Sequence, residues 1–227
     1  MFKTKYIYRI VILFVIVVFD GCVPEASLPT DTVGQTQACD SLNRYNETDG
    51  PNLLENGGLE EWNDVLYYIP SGWFSHNNGN VRMDYTVVYE GSYSAKMKSL
   101  ESGSTARIDQ CVPVTPGSKI RIRFMYYVEQ WQQDGARTYC YFRTGSAENT
   151  TIPISELREF YTDEEYYIIR GGGRGLKYLP HTLNHWLEFN ETIIVPPTAT
   201  HFVFGVNSYY ETTIYVDDCY VGEVTIQ

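Results

Sequence analysis

From residue 52 onward, apolar and polar positions alternate in short runs. In KIRIRFMYYV (119–128), Ile120, Ile122, Phe124 and Tyr126 fall on one face and Arg121, Arg123, Met125 and Tyr127 on the other. That is the period of two of a half-buried strand. RTYCYFR (137–143) sets Cys140 and Phe142 against Arg137, Tyr139, Tyr141 and Arg143 in the same way. VRMDYTVVYE, ARIDQCVPV, EEYYIIR, HWLEFNETIIV, THFVFGV and TTIYVDDCYV are further runs rich in β-branched and aromatic residues. Turn clusters such as EGSYS, TPGS, RGGGRG and VPPTA divide them. Many short strands between turns predict an all-β sandwich or barrel, not a βαβ fold. Only ISELREFYTDEE has room for a helical turn or two, and no internal repeat is present.

The pattern before residue 52 is different. Lys3, Lys5 and Arg9 precede the apolar run IVILFVIVVF, which ends at Asp20-Gly21-Cys22. A basic start and a short apolar core describe a secretory signal over residues 1–21. Ten apolar residues are too few to span a bilayer, which takes roughly 20 in a helix. Gly21-Cys22 resembles a bacterial lipobox, which would make Cys22 the lipidated first residue of the mature protein; Asp20 departs from that pattern. Residues 22–51 hold few large apolar side chains and many Thr, Asp, Asn, Pro and Ser, as a flexible linker does. Asp31-Thr32-Val33 and Asp40-Ser41-Leu42 are similar to sites that some Gram-negative bacteria O-glycosylate. The folded domain is expected over 52–227.

Composition narrows the partners. Twenty tyrosines, ten phenylalanines and four tryptophans suit strands and exposed binding surfaces. The net charge of −11 leaves no basic stripe for nucleic acid. It also disfavours an anionic membrane surface, so membrane contact is expected through the lipid alone. Cys39, Cys111, Cys140 and Cys219 show no CxxC or metal spacing. They read either as buried thiols or as one bridge.

Signs of catalysis are few. RGGGRG (170–175) lacks the Lys-Ser/Thr of a phosphate loop. His181 and His185 have zinc-like spacing but follow Pro180 and lack the HExxH glutamate. No Gly-x-Ser-x-Gly elbow and no Cys-His signature occurs. Two carboxylate pairs remain, Glu60-Glu61 after an Asn-Gly-Gly turn and Asp217-Asp218 inside the last apolar run. Strand alternation sends one acid of each pair toward the core, which is costly without a partner. Either all four are solvated, or one of each pair meets around a hard cation. Calcium takes six to eight oxygens, several of them backbone carbonyls of the kind a glycine turn offers.

NLLENGGLEEW (52–62), PSGW (70–73), YEGSYSAKM (89–97), DQCVPVTPGSKIRIRFMYYV (109–128) and IYVDDCYV (214–221) follow one another in this order. Together they resemble the jelly-roll carbohydrate-binding modules of families 4, 9 and 22, in the galactose-binding-like superfamily. The likeness covers 52–227, loosely over 129–190, and departs at Leu59, Cys111 and Cys219. It implies a β-sandwich jelly roll with a structural calcium. Gly58, Glu90 and Tyr93 would supply carbonyls, and Glu60 and Asp217 carboxylates, while Glu61 faces solvent. It also implies that Trp62 and Trp73 are packing residues.

The outward sets of 119–128 and 137–143 supply tyrosines and arginines that suit sugar rings and hydroxyls. The expected ligand contacts are Arg123, Tyr127, Arg137, Tyr139 and Tyr141, with Trp131 and Trp186 beside loops. The sequence therefore predicts a non-catalytic glycan-binding lipoprotein of a Gram-negative outer membrane, periplasmic or surface-exposed, whose partner is a polysaccharide or oligosaccharide. The alternative class is an adhesin or structural surface protein binding a protein partner.

Overall fold

The alternation of 119–128 becomes the central strand of one sheet. In the computed structural model this strand is β6, Lys119–Gln130, with Ile120, Ile122, Phe124, Tyr126 and Val128 buried and the residues between them partly exposed. The structure describes residues 47–63, 69–77, 80–101, 103–132, 135–145, 150–162, 169 and 178–226. The signal, Cys22, Cys39, the RGGGRG loop and most of EEYYIIR lie outside these residues.

Along the chain, the strands before β6 are β1 (Glu47–Asp49), β2 (Phe74–Asn77), β3 (Asn80–Asp84), β4 (Ser94–Lys98) and β5 (Thr105–Pro113). After β6 come β7 (Ala136–Thr138), β8 (Tyr141–Arg143), the helix α1 (Ile154–Phe160), β9 (Trp186–Ile194), β10 (His201–Tyr209) and β11 (Thr213–Ile226). They form two antiparallel sheets. The first has the order β3-β4-β11-β6-β9, with β1 also paired to β11. The second has the order β2-β5-β10-β7, with β8 also paired to β10.

The apolar faces of the two sheets meet in one core. Phe124 stacks on Phe189 at 4.9 Å between ring centres and tilts against Phe204 at 5.5 Å, which in turn meets the edge of Trp73 at 5.9 Å. The short helix adds buried Leu157 to this cluster. Just beyond it, Tyr161 stacks on Phe142 and donates its hydroxyl to the carbonyl of Ile194.

Three sequence expectations are corrected. Residues 47–49, read as linker, form a strand: Glu47, Thr48 and Asp49 pair with Ile226, Thr225 and Val224. Glu47 ion-pairs with Lys119 and Arg121, and Asp49 with Arg121 at 2.6 Å, so charge holds a segment that has no apolar side chain. RTYCYFR is two short strands, because the chain breaks from the ladder at Tyr139 and Cys140 opposite Gly205. The strand at 80–84 stops where Asp84 Oδ1 accepts from the backbone N–H groups of Thr86 (2.8 Å) and Val87 (2.9 Å), a local turn that competes with the ladder.

Cys111, Cys140 and Cys219 are free thiols. Cys140 and Cys219 are buried, and burial pushes the Cys140 thiol up to about 12 and that of Cys219 well above its ordinary value.

Candidate functional site

The turn Asn52–Trp62 is built by side chains that stitch it to distant strands. Asn52 accepts from the N–H of Val221 (3.1 Å) and donates to the carbonyl of Cys219 (2.9 Å). Gln110 of β5 accepts from the N–H of Glu55 (2.7 Å) and donates to the carbonyls of Glu55 and Gly72. Gly57 packs directly on β11, where a Cβ would lie 2.3 Å from the carbonyl oxygen of Cys219. Trp62 donates to the carbonyl of Leu59, and buried Trp73 to that of Asn56, so both are packing residues.

This turn carries Glu60 to the loop before β4. Its carboxylate accepts from the N–H groups of Ser92 (3.0 Å) and Tyr93 (3.3 Å). Gly91, at φ +73°, leaves the room, since a Cβ there would lie 2.2 Å from Glu60 Oε1. Asp217 approaches the same loop from β11. Its Oδ2 accepts from the N–H groups of Tyr89 (2.9 Å) and Glu90 (3.2 Å), and its Oδ1 from that of Asp218 (2.8 Å). Gly58, Glu60, Glu90, Gly91, Asp217 and Asp218 line a cleft of about 340 Å³.

Four of the five expected cation ligands therefore meet at one cleft. Tyr93 is beside it, with its N–H on Glu60. The reason that brings them there differs from the alternation argument. Glu60 is exposed in a turn, not core-facing in a strand. Asp217 shares the outer face of the first sheet with Tyr215, because Ile214 and Val216 take the core side. The register then shifts after Asp217, with Asp218 at φ +45°, and Cys219 and Val221 return to the core. Asp217 is only 1% exposed because the loop at Tyr89 and Glu90 covers it.

Burial pushes the Asp217 carboxyl up to about 6, and the Glu60 charge pushes the same way. Among the described residues neither acid pairs with a lysine or arginine, and no three His, Cys, Asp or Glu side chains are placed to hold a metal ion between them. A cation here would take two carboxylates and otherwise backbone oxygens. The donor set is all oxygen, hard and doubly anionic, which matches calcium chemistry.

The expected ligand residues do not form one face. β6 and β9 belong to the first sheet and β7 and β8 to the second, so their outward side chains point away from each other across the core. Arg123, Tyr127 and Trp186 lie on the first sheet's outer side. Arg123 is engaged there, 5.3 Å from the Tyr220 ring centre and 3.8 Å from Asp218. Trp131, in the loop after β6, stacks on His181 at 4.0 Å.

Arg137, Tyr139 and Tyr141 lie on the second sheet's outer side. Arg137 is buried, with its guanidinium 3.1 Å from the ring centre of Tyr209, and serves packing. Tyr139 and Tyr141 are half-buried and meet edge to face at 5.5 Å.

Around these two tyrosines the strands build a trough. Phe74 pairs with Asp109 and Asp109 with Gly205, so the three stand in one row across β2, β5 and β10. Gly205 is closely flanked there, since a Cβ would lie 2.9 Å from the carbonyl oxygen of Tyr139 and 3.0 Å from the Cβ of Asp109. Arg107 lies over the Tyr139 ring at 4.0 Å and ion-pairs with Asp109 at 2.8 Å. Arg143 donates to the Tyr141 hydroxyl at 2.9 Å. Phe74 is 66% exposed at the rim. Sequence reasoning passed over Phe74, Arg107 and Asp109. The signal for Phe74 was present, because a packing residue at Trp73 puts its neighbour on the opposite face.

No family model matches the sequence, and no curated protein does. Solved structures match in fold. One is the enzymatically active domain of tailspike protein 4 of bacteriophage CBA120, at 14% identity and TM-score 0.52 over 76% of this chain. The chain spans about a fifth (21%) of that solved domain. Another is a Bacteroides thetaiotaomicron protein provisionally named as sugar-binding, at 11% identity and TM-score 0.50, with 76% of this chain and 100% of that one covered. A family 22 xylan-binding module of Paenibacillus barcinonensis aligns at 10% identity and TM-score 0.46 over 75% and 94% of the two chains. The two antiparallel sheets packed on one core are the jelly-roll β-sandwich that the resemblance implied.

Proposed function

We propose that this domain is a non-catalytic glycan-binding module, carried on a Gram-negative outer membrane by a lipid on Cys22. The observation that carries the reading is the trough on the second sheet. It offers an exposed aromatic ring at Phe74 and two half-buried rings at Tyr139 and Tyr141, with a largely buried Arg107–Asp109 pair held between them. Sugar rings present C–H faces to aromatic planes, and their hydroxyls take hydrogen bonds from a guanidinium and give them to a carboxylate. The likeness in fold to a protein provisionally named as sugar-binding supports the same reading.

Calcium has a supporting part in this proposal. Gly58 and Glu90 would hold it through backbone carbonyls and Glu60 and Asp217 through carboxylates. Bound, it supplies no chemistry and ties the first turn to the last strand. A glycan array on the full chain in detergent, followed by a turnover assay on each glycan bound, tests the function. Binding without turnover is expected. Hydrolysis or elimination of the bound glycan would make the domain an enzyme instead.

A further inference from the structure

The first sheet's outer face carries a row that the trough does not use. Strand register places Arg82 of β3, Lys96 of β4, Tyr215 of β11, Tyr127 of β6 and Trp186 of β9 directly side by side. Five strands at about 4.8 Å spacing make the row roughly 19 Å long. One end is aromatic. Trp186 meets Tyr89 edge to face and Tyr127 at a tilt, both at 5.6 Å, and Tyr89 is 47% exposed. Tyr127 is fixed by its packing on Tyr215 (5.6 Å) and a hydrogen bond to Asn184 (3.2 Å).

The other end is cationic. Arg82, Lys96 and Lys98, with the acid Asp84 among them, line a cleft of about 430 Å³. In a chain of net charge −11, three cations across two adjacent strands are a local reversal of sign. Two acids stand nearby. The Asp84 carboxylate accepts from Thr86 and Val87, and Glu129 pairs with Lys96 at 3.2 Å. Lys98, exposed at the end of β4, forms no ion pair among the described residues.

We propose that the two ends of this row, on either side of buried Tyr215, form a second binding site, on the side opposite the trough, for an acidic polysaccharide. Sugar rings lie against Tyr89 and Trp186, and a carboxylate or sulfate enters the cleft at Arg82, Lys96 and Lys98. A domain with ligand sites on both outer faces joins two polysaccharide chains.

Titration calorimetry of the full chain in detergent, with polygalacturonate, dextran sulfate and neutral dextran as probes, tests this. Binding of an acidic polymer but not of dextran is expected, weakening with added salt. Polygalacturonate alone would assign a uronate, and dextran sulfate alone a sulfate. Lys98→Glu is expected to raise Kd tenfold or more without changing the melting temperature, and Trp186→Ala to do the same where the fold is retained. Phe74→Ala is expected to leave this binding unchanged. If neither acidic polymer binds, or Lys98→Glu binds as wild type, the site is wrong. Loss in Phe74→Ala alone would move the ligand to the trough, overturning the second site and leaving the proposed function standing.

Discussion

Asp217 is buried among backbone amides, and among the described residues no lysine or arginine pairs with it. Its carboxyl titrates at about 6, against an unfolded value near 3.9. Between those values the folded state holds a proton that the unfolded chain has released. The stability that this proton supports is present below the unfolded pKa and lost as pH rises through 6. At about 1.4 kcal/mol per pKa unit, the loss is on the order of 3 kcal/mol. Melting curves in a chelator should therefore fall from pH 4 to pH 6, and saturating calcium should remove that fall by favouring the ionised form. A fall of equal size with and without calcium would separate Asp217 from any metal. Calcium at 100 times its Kd should add about 2.7 kcal/mol at neutral pH. Glu60→Ala should abolish that gain, read as the calcium-dependent shift in melting temperature. Glu60 and Asp217 were legible through the motifs around them. The route was not, because alternation sends one acid of each pair to the core, whereas a register shift after Asp217 returns Cys219 and Val221 to the core and leaves Asp217 on the outer face.

At the scale of elements, β6 was legible residue by residue, since its period of two coincides with burial along its first ten residues. Phe124→Ala, at its centre, should cost roughly 3–5 kcal/mol, measured by denaturant unfolding. β1 was not legible, because Glu47-Thr48-Asp49 has no hydrophobic pattern to read. Its pairing depends on β11 for the ladder and on Lys119 and Arg121 for charge, and these lie far along the chain. Exposed ion pairs are worth about 0.2–1 kcal/mol each. Arg121→Ala should thus speed amide hydrogen exchange at 47–49 several-fold and leave β6 core amides unchanged. Uniformly faster exchange across β6 would show that Arg121 supports the whole sheet.

For the whole molecule, alternation told inside from outside within each strand and was silent on which sheet a strand joins. That is why the outward residues of 119–128 and 137–143, similar in composition, were read as one surface and lie on two. Sheet membership is set by pairings such as β10 with β5, between segments some ninety residues apart. The trough depends on such pairings, since Phe74, Asp109 and Gly205 meet only when β2, β5 and β10 align. The most direct measurement is calorimetric titration of a glycan identified on the array into the wild-type chain, Phe74→Ala and Tyr141→Ala, with melting temperatures recorded alongside. Truncating a ring at the centre of a contact surface commonly costs more than 1 kcal/mol, a Kd increase of about fivefold or more. The trough predicts that loss in both variants with melting temperatures close to wild type. Unchanged affinity in both variants, with the fold intact, would contradict it.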